Sequence, residues 1–181
     1  LSLKKWETDT GNRCRLVVTT AVYDPAATFM GYARLKGEPW IFSTPSPAGG
    51  TRLVALLKEY GIRDQVIGTQ IVPALDSSLP VVAEARKALG ESLNYESLES
   101  YIVGKLFLTI LRAIDGPLTR ENFLKAARRQ PYDIGGIRVD FTTDNQGSDF
   151  VMITYLRDGQ FAVITPQELA ATTVVEIAIE S

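Results

Sequence analysis

The sequence predicts an α/β protein: a parallel sheet flanked by helices, with a β-hairpin toward the C-terminus. Three observations lead there. Short runs rich in Val, Ile and Thr alternate with helical stretches from Leu16 to Val72, the signature of a parallel sheet wound through helices. Asp158-Gly159 separates two aromatic and β-branched runs, which is a two-residue hairpin signal. The 181 residues, 45% apolar and 22% charged, suffice for one sizeable domain or two small lobes, and disorder is not expected.

Residues 1–14 read as polar and aperiodic. Leu16–Val22 is a continuous apolar strand of the kind covered on both faces. Asp24-Pro25 marks a helix start that runs to Leu35 and stops at Gly37. Trp40–Ser43 is a second strand, followed by the loop Pro45–Thr51. Leu53, Leu56, Leu57 and Tyr60 then form the stripe of a helix ended by Gly61. Val66–Val72 is the third strand, Pro73–Leu79 a turn-rich linker and Pro80–Leu89 a helix. Over Ser97–Ile114, apolar residues at Leu98, Ile102, Leu106 and Ile110, widened by Val103, Phe107 and Leu111, predict a helix buried on most sides. Thr119 caps a helix to Arg129, with Leu118 and Phe123 spaced as a hydrophobic staple. Ile137–Phe141, Phe150–Leu156 and Phe161–Ile164 are short strands, and the β-branched tail Thr172–Ile179 suits a final strand.

Several chemistries are excluded by residue type. There is no histidine, so Ser-His-Asp and Cys-His sites and His-bearing metal sites cannot form. No P-loop, no Gly-x-Gly-x-x-Gly and no Gly-x-Ser-x-Gly elbow occurs. A net charge of -2 provides no basic footprint for nucleic acid. Cys14 has no second cysteine to pair with and reads as a packed thiol. Asp144-Asn145-Gln146-Gly147-Ser148-Asp149 offers oxygen ligands but lacks the length and closing glutamate of a calcium loop, so it reads as a polar turn. No cofactor and no metal are expected. The start, Leu1–Glu7, shows no apolar signal region, which points to a mature form or a fragment. The most apolar window, Leu98–Ala113, is too short to span a bilayer.

Ligands of open α/β sheets bind beyond the carboxyl ends of the strands. Two loops fall there. One carries Tyr23 and Asp24; the other carries Thr44, Ser46 and Gly49. Hydroxyls and free N–H groups at a helix start suit a carboxylate or another polar head group, and Tyr23 can add a flat wall. The competing structural account is that Asp24 and Thr51 cap helices while Tyr23 packs.

The ordered series Tyr23-Asp24-Pro25-Ala26-Ala27, Ser46-Pro47-Ala48-Gly49, Thr69–Pro73, Leu98–Tyr101, Gly135–Phe141 and Gly147–Phe150 resembles the C-terminal half of type I periplasmic solute-binding proteins of the leucine/isoleucine/valine-binding kind. That resemblance implies a two-lobed fold, here incomplete, closing over a ligand by hinge motion. It implies the divisions 1–72 (a partial α/β lobe with strand-end loops), 73–164 (helices with hinge and sheet segments) and 165–181 (a tail). It also implies a small polar ligand, an amino acid, an amide or a small acid, delivered to the membrane permease of an ABC importer in the periplasm or outside the cell. Tyr23, or Asp24 in a shifted register, matches an aromatic near the ligand. Ser46 stands where amino-acid binders carry an acidic residue. No catalysis is expected. The alternatives are a ligand-sensing domain of a signalling receptor and, less in keeping with the missing histidine, a carboxylate-dependent enzyme. Family members are about twice as long, so some apolar surface should lack its usual cover or pair with a second copy.

Overall fold

A computed structural model describes residues 2–46 and 50–179, with Ser2 and 173–179 given by backbone alone. The elements are α1 (Ser2–Thr10), β1 (Leu16–Val18), α2 (Tyr23–Leu35), β2 (Ile41–Thr44), α3 (Gly50–Glu59), β3 (Val66–Gln70), α4 (Pro80–Leu89), α5 (Tyr95–Arg112), α6 (Arg120–Ala127), β4 (Tyr132–Asp133), β5 (Arg138–Val139), β6 (Met152–Arg157), β7 (Gln160–Val163) and α7 (Pro166–Ile179). They group into two compact units, one of residues up to Gln70 and from Met152 onward, the other Ile71–Val151. The division expected from the sequence follows chain order; the grouping in space returns the hairpin β6–β7 to the first unit.

The first unit holds a five-stranded sheet in the order β1-β2-β3-β6-β7. β1, β2 and β3 are parallel, and the hairpin joins β3 antiparallel. The hairpin turns at Asp158 (φ 50°) and Gly159 (φ 77°), the two positive angles that match a two-residue turn to strand twist. Alternation along β2 sends Phe42 toward α2 and α3, where it packs with Met30, Leu53, Leu57, Val66 and Leu156. Arg34 fastens the turn from α2 into β2. Its guanidinium donates to the carbonyls of Glu38 (2.7 Å) and Trp40 (2.8 Å) and to Gln65 Oε1 (2.8 Å), and it lies 5.2 Å from the Phe42 ring.

Several expectations are corrected. Residues 2–10 are a helix, supported by the spaced pairs Lys4–Glu7 and Lys5–Asp9 and by Thr8 and Thr10 hydroxyls donating to carbonyls four residues back. β1 is shorter than expected and is not covered on both faces. Leu16 and Val18 are 51% and 70% exposed, because β1 is the edge strand and both side chains leave the sheet opposite Val17, which packs toward the core. The tail is the helix α7. Thr165 caps it: its hydroxyl accepts from the Glu168 N–H (3.2 Å), while the Glu168 carboxylate accepts from the Thr165 N–H (2.7 Å). Pro166 fits the first turn.

The second unit packs α4, α5 and α6 around Val81, Val82, Leu98, Ile102, Ile110, Ala127 and Tyr132. α5 opens two residues earlier than expected, because Asn94 and Ser97 form a reciprocal capping box. It buries one face, not most of its surface: Val103, Phe107 and Leu108 are exposed. Thr119 caps α6 as expected, but Leu118 is 74% exposed and no staple is buried. Gly135 lets the β4–β5 turn meet the start of α4. Its carbonyl accepts from the Val81 N–H at 3.1 Å, and a Cβ there would lie 2.7 Å from that nitrogen. After β5, Asp140 organises the loop by accepting from Thr142 N–H (3.0 Å), Thr142 Oγ1 (2.6 Å) and Arg138 (2.7 Å).

Two outcomes follow for stability. A Cβ at Gly68 would lie 2.7 Å from Thr154 Oγ1 and 3.3 Å from the Phe161 ring. Gly68→Ala is expected to cost about 1–3 kcal/mol in chemical denaturation; a neutral result would contradict the close approach of β3 and β6. The bonds from Thr142, with help from Arg138, hold the Asp140 carboxyl at about 2, below its ordinary 3.8. Its stabilisation is therefore present above about pH 4 and disappears as the pH falls toward 2. Asp140→Asn should be less stable than the parent at pH 6, with the gap closing as both are titrated to pH 2. A gap independent of pH would contradict this.

Candidate functional site

The ends of β1 and β2 lie side by side. Val18 faces Ser43 in register, and the Thr19 N–H donates to the Ser43 carbonyl at 2.9 Å. The segment that leads to Tyr23 and Asp24 therefore leaves the sheet next to the one that leads to Thr44 and Ser46. Both segments feed helix starts, so the carboxyl edge of the sheet collects exposed backbone N–H groups beside polar side chains.

Val22 occupies the N-cap of α2, and Tyr23 is the first helical residue, partly exposed. Asp24 sits in the first turn, where a negative charge complements the helix dipole. It does not occupy the cap. Its carboxylate meets Arg52 of α3 at 3.2 Å, both side chains more than half exposed. Thr51 lies inside α3. Ser46 is partly exposed in the turn after β2. Gly49, with Pro47 and Ala48, lies outside the described residues.

Thr44 differs from the others. It shares the Phe42 face of β2, opposes Gly68 in register and is 2% exposed. Its Oγ1 is buried and has no hydrogen-bond partner among the described residues. A buried hydroxyl left unpaired costs about 1–3 kcal/mol, so such a group at a strand end is uncommon in a finished core.

The one thiol of the chain, Cys14, is partly buried; burial first, and then the charge of Glu7, push its pKa up, away from a nucleophilic thiolate. Among the described residues no group of three acidic or sulfur side chains is placed to hold a metal. In the Asp144–Asp149 segment three side chains bond within the turn itself: Asp144 accepts from the Gln146 N–H at 2.7 Å, Ser148 from the Phe150 N–H at 3.2 Å, and Asp149 bonds the Gln146 amide. Among the described residues no helix is long and apolar enough to cross a membrane.

Arg52 is the residue that sequence reasoning missed. A cation in the first turn of a helix opposes the dipole, and α3 has no acidic residue there to offset it. That local mismatch was the available signal. Thr44 was chosen for its position, but its burial follows from the two-residue alternation with Phe42.

No protein-family model and no curated protein matches the chain. Solved structures do. A possible leucine/isoleucine/valine-binding protein from Rhodopirellula baltica SH 1 superposes with a TM-score of 0.74 at 26% identity, over 86% of this chain and 44% of that one. An extracellular ligand-binding receptor from Verminephrobacter eiseniae gives 0.70 at 21% identity, over 86% and 46%. A branched chain amino acid ABC transporter from Thermus thermophilus with bound valine gives 0.67 at 19% identity, over 91% and 48%. The chain spans less than half the length of each of these structures. It is thus similar to leucine/isoleucine/valine-binding proteins and has the α/β fold of type I periplasmic solute-binding proteins over part of their length.

Proposed function

We propose that the strand-end loops of the first unit bind a small polar solute, and that the chain serves as the substrate-binding component of an ABC-type importer, or as part of one. The observation that carries this reading is the buried Thr44 hydroxyl, which has no hydrogen-bond partner among the described residues. It stands at the carboxyl end of β2, the strand whose end adjoins the loop bearing Tyr23 and Asp24. A ligand that hydrogen-bonds Thr44 supplies what the described fold leaves unmade, and this is a selective interaction for a polar molecule. Asp24 and Arg52 add one charge of each sign. Their pairing is exposed and weak, so a solute carrying an ammonium, a carboxylate or an amide can replace it without a large cost. Ser46 and Tyr23 would complete the wall, with Gly49 in the same loop.

The amino acid, amide and small acid classes all fit these groups. Work beside a membrane permease, outside the cytoplasm, is the setting that the similar structures support. The group includes a protein described as an extracellular ligand-binding receptor, which keeps a sensing role as the second reading.

Calorimetry of the protein with a panel of amino acids, amides and small acids tests the reading. Saturable binding of at least one solute is expected, weakened by about tenfold or more in Thr44→Val, since one buried hydrogen bond is lost. Silence across the panel, or binding indifferent to Thr44→Val and Tyr23→Ala, would overturn it. Asp24→Ala and Arg52→Ala should each change unfolding stability by less than about 1 kcal/mol, as exposed pairs do. A larger loss would make the pair structural and remove it from the site.

A further inference from the structure

The second unit contains a pocket of about 310 Å³ between α5, α6 and the loop after β5. Its walls are mostly apolar, with three phenylalanines among aliphatic side chains. Phe107 and Phe123 meet with centroids 5.4 Å apart at an interplanar angle of 41°, and Phe141 and Ile110 also line the pocket. At the rim stands Arg128, whose guanidinium donates to Asn145 Oδ1 at 2.7 Å. Arg128 pairs with no carboxylate among the described residues, so its charge is held in place by a neutral group. The loop that brings Phe141 and Asn145 here is well built. The Asp140 N–H donates to the Gly147 carbonyl at 2.8 Å, and a Cβ at Gly147 would lie 2.6 Å from the Phe141 ring, so the chain closes on that ring only with glycine.

From this geometry we infer that the pocket binds an aromatic monocarboxylate, its ring among the three phenylalanines and its carboxylate on Arg128. The volume lies at the small end of ligand pockets, about 300–1,000 Å³, which suits a phenylalkanoic acid and excludes a folded peptide. Rings prefer tilted and edge contacts of the kind Phe107 and Phe123 already make. A guanidinium offers two parallel N–H groups to a carboxylate. One Nη2–H is already given to Asn145 Oδ1, a neutral acceptor that orients the group, and the other N–H groups remain for a carboxylate. The pocket lies wholly within the second unit and shares no residue with the strand-end loops, so this inference stands or falls independently of the solute reading above.

The test uses the full chain, with 4-phenylbutyrate as probe and 4-phenylbutan-1-ol as its uncharged counterpart. The acid is expected to bind saturably and about five- to tenfold more tightly than the alcohol, the scale of a charge-assisted contact at a partly exposed rim. Arg128→Gln should lower the acid to the level of the alcohol and leave the alcohol unchanged. Asn145→Asp, which supplies an internal counter-charge without touching the apolar walls, should do the same. Absence of saturable acid binding, equal affinity for acid and alcohol, or variants that leave the acid unaffected would each overturn the proposal. Self-association of the chain that Phe107→Ser abolishes, without acid binding, would overturn it in favour of a second copy on this face.

Discussion

The pairing of β3 with β6 is the constraint on which the first unit rests. The chain leaves the sheet at Gln70 and returns at Met152, so the contact joins segments separated by the whole second unit. Such a closure carries an entropic cost that grows slowly with loop length, and it must be repaid by close packing. Gly68 and Thr154 supply that packing. The Thr154 hydroxyl donates to the Gly68 carbonyl at 2.9 Å, in a space that exists because residue 68 has no side chain. Once the register is set, Leu156 and Phe161 fall onto the layer of Phe42 and Val66. The edge of β3 is then filled, and β3 stands between β2 and β6. The strand-end loops inherit their positions from this arrangement.

The proposed function rests on what the sheet leaves open. Parallel strands deliver loops to one edge, and that edge holds Tyr23, Asp24, Thr44, Ser46 and Arg52 together with the starts of two helices. The same fold leaves apolar surface bare elsewhere, at Leu16 and Val18 on β1 and at Val103, Phe107 and Leu108 on α5. Both are exposed apolar faces of the described residues. The Arg128 pocket adds a charged, oriented group to one of them, which bare packing surfaces do not need.

Much of the fold was legible in the residues. The alternation through Gln70, the Asp158-Gly159 turn, the helix Pro80–Leu89 and the Thr119 cap all have local causes, and local causes can be read locally. The errors have causes of the same kind. The capping box of Thr165 and Glu168 was visible, but the β-branched composition of 172–179 outweighed it; composition is a weak guide to strand or helix when a cap specifies the start. An apolar β1 was expected to be covered because sequence shows which residues would accept burial, not which receive it. For the candidate site, position after a strand points to Thr44 and Asp24, whereas the Asp24–Arg52 contact joins two helices and has no local signature beyond a misplaced cation. That the Thr44 hydroxyl is buried without a partner among the described residues depends on tertiary packing and has no local signature.

A polar solute is proposed to bind at the carboxyl ends of β1 and β2. Residue-resolved amide NMR of the isotopically labelled chain, titrated with amino acids, amides and small acids, addresses it most directly. The account predicts that a binding solute perturbs amides of residues 19–24 and 44–52 first and most strongly, with Thr44 among them. Perturbations confined to the opposite ends of the strands, or to segments outside the sheet, would contradict it.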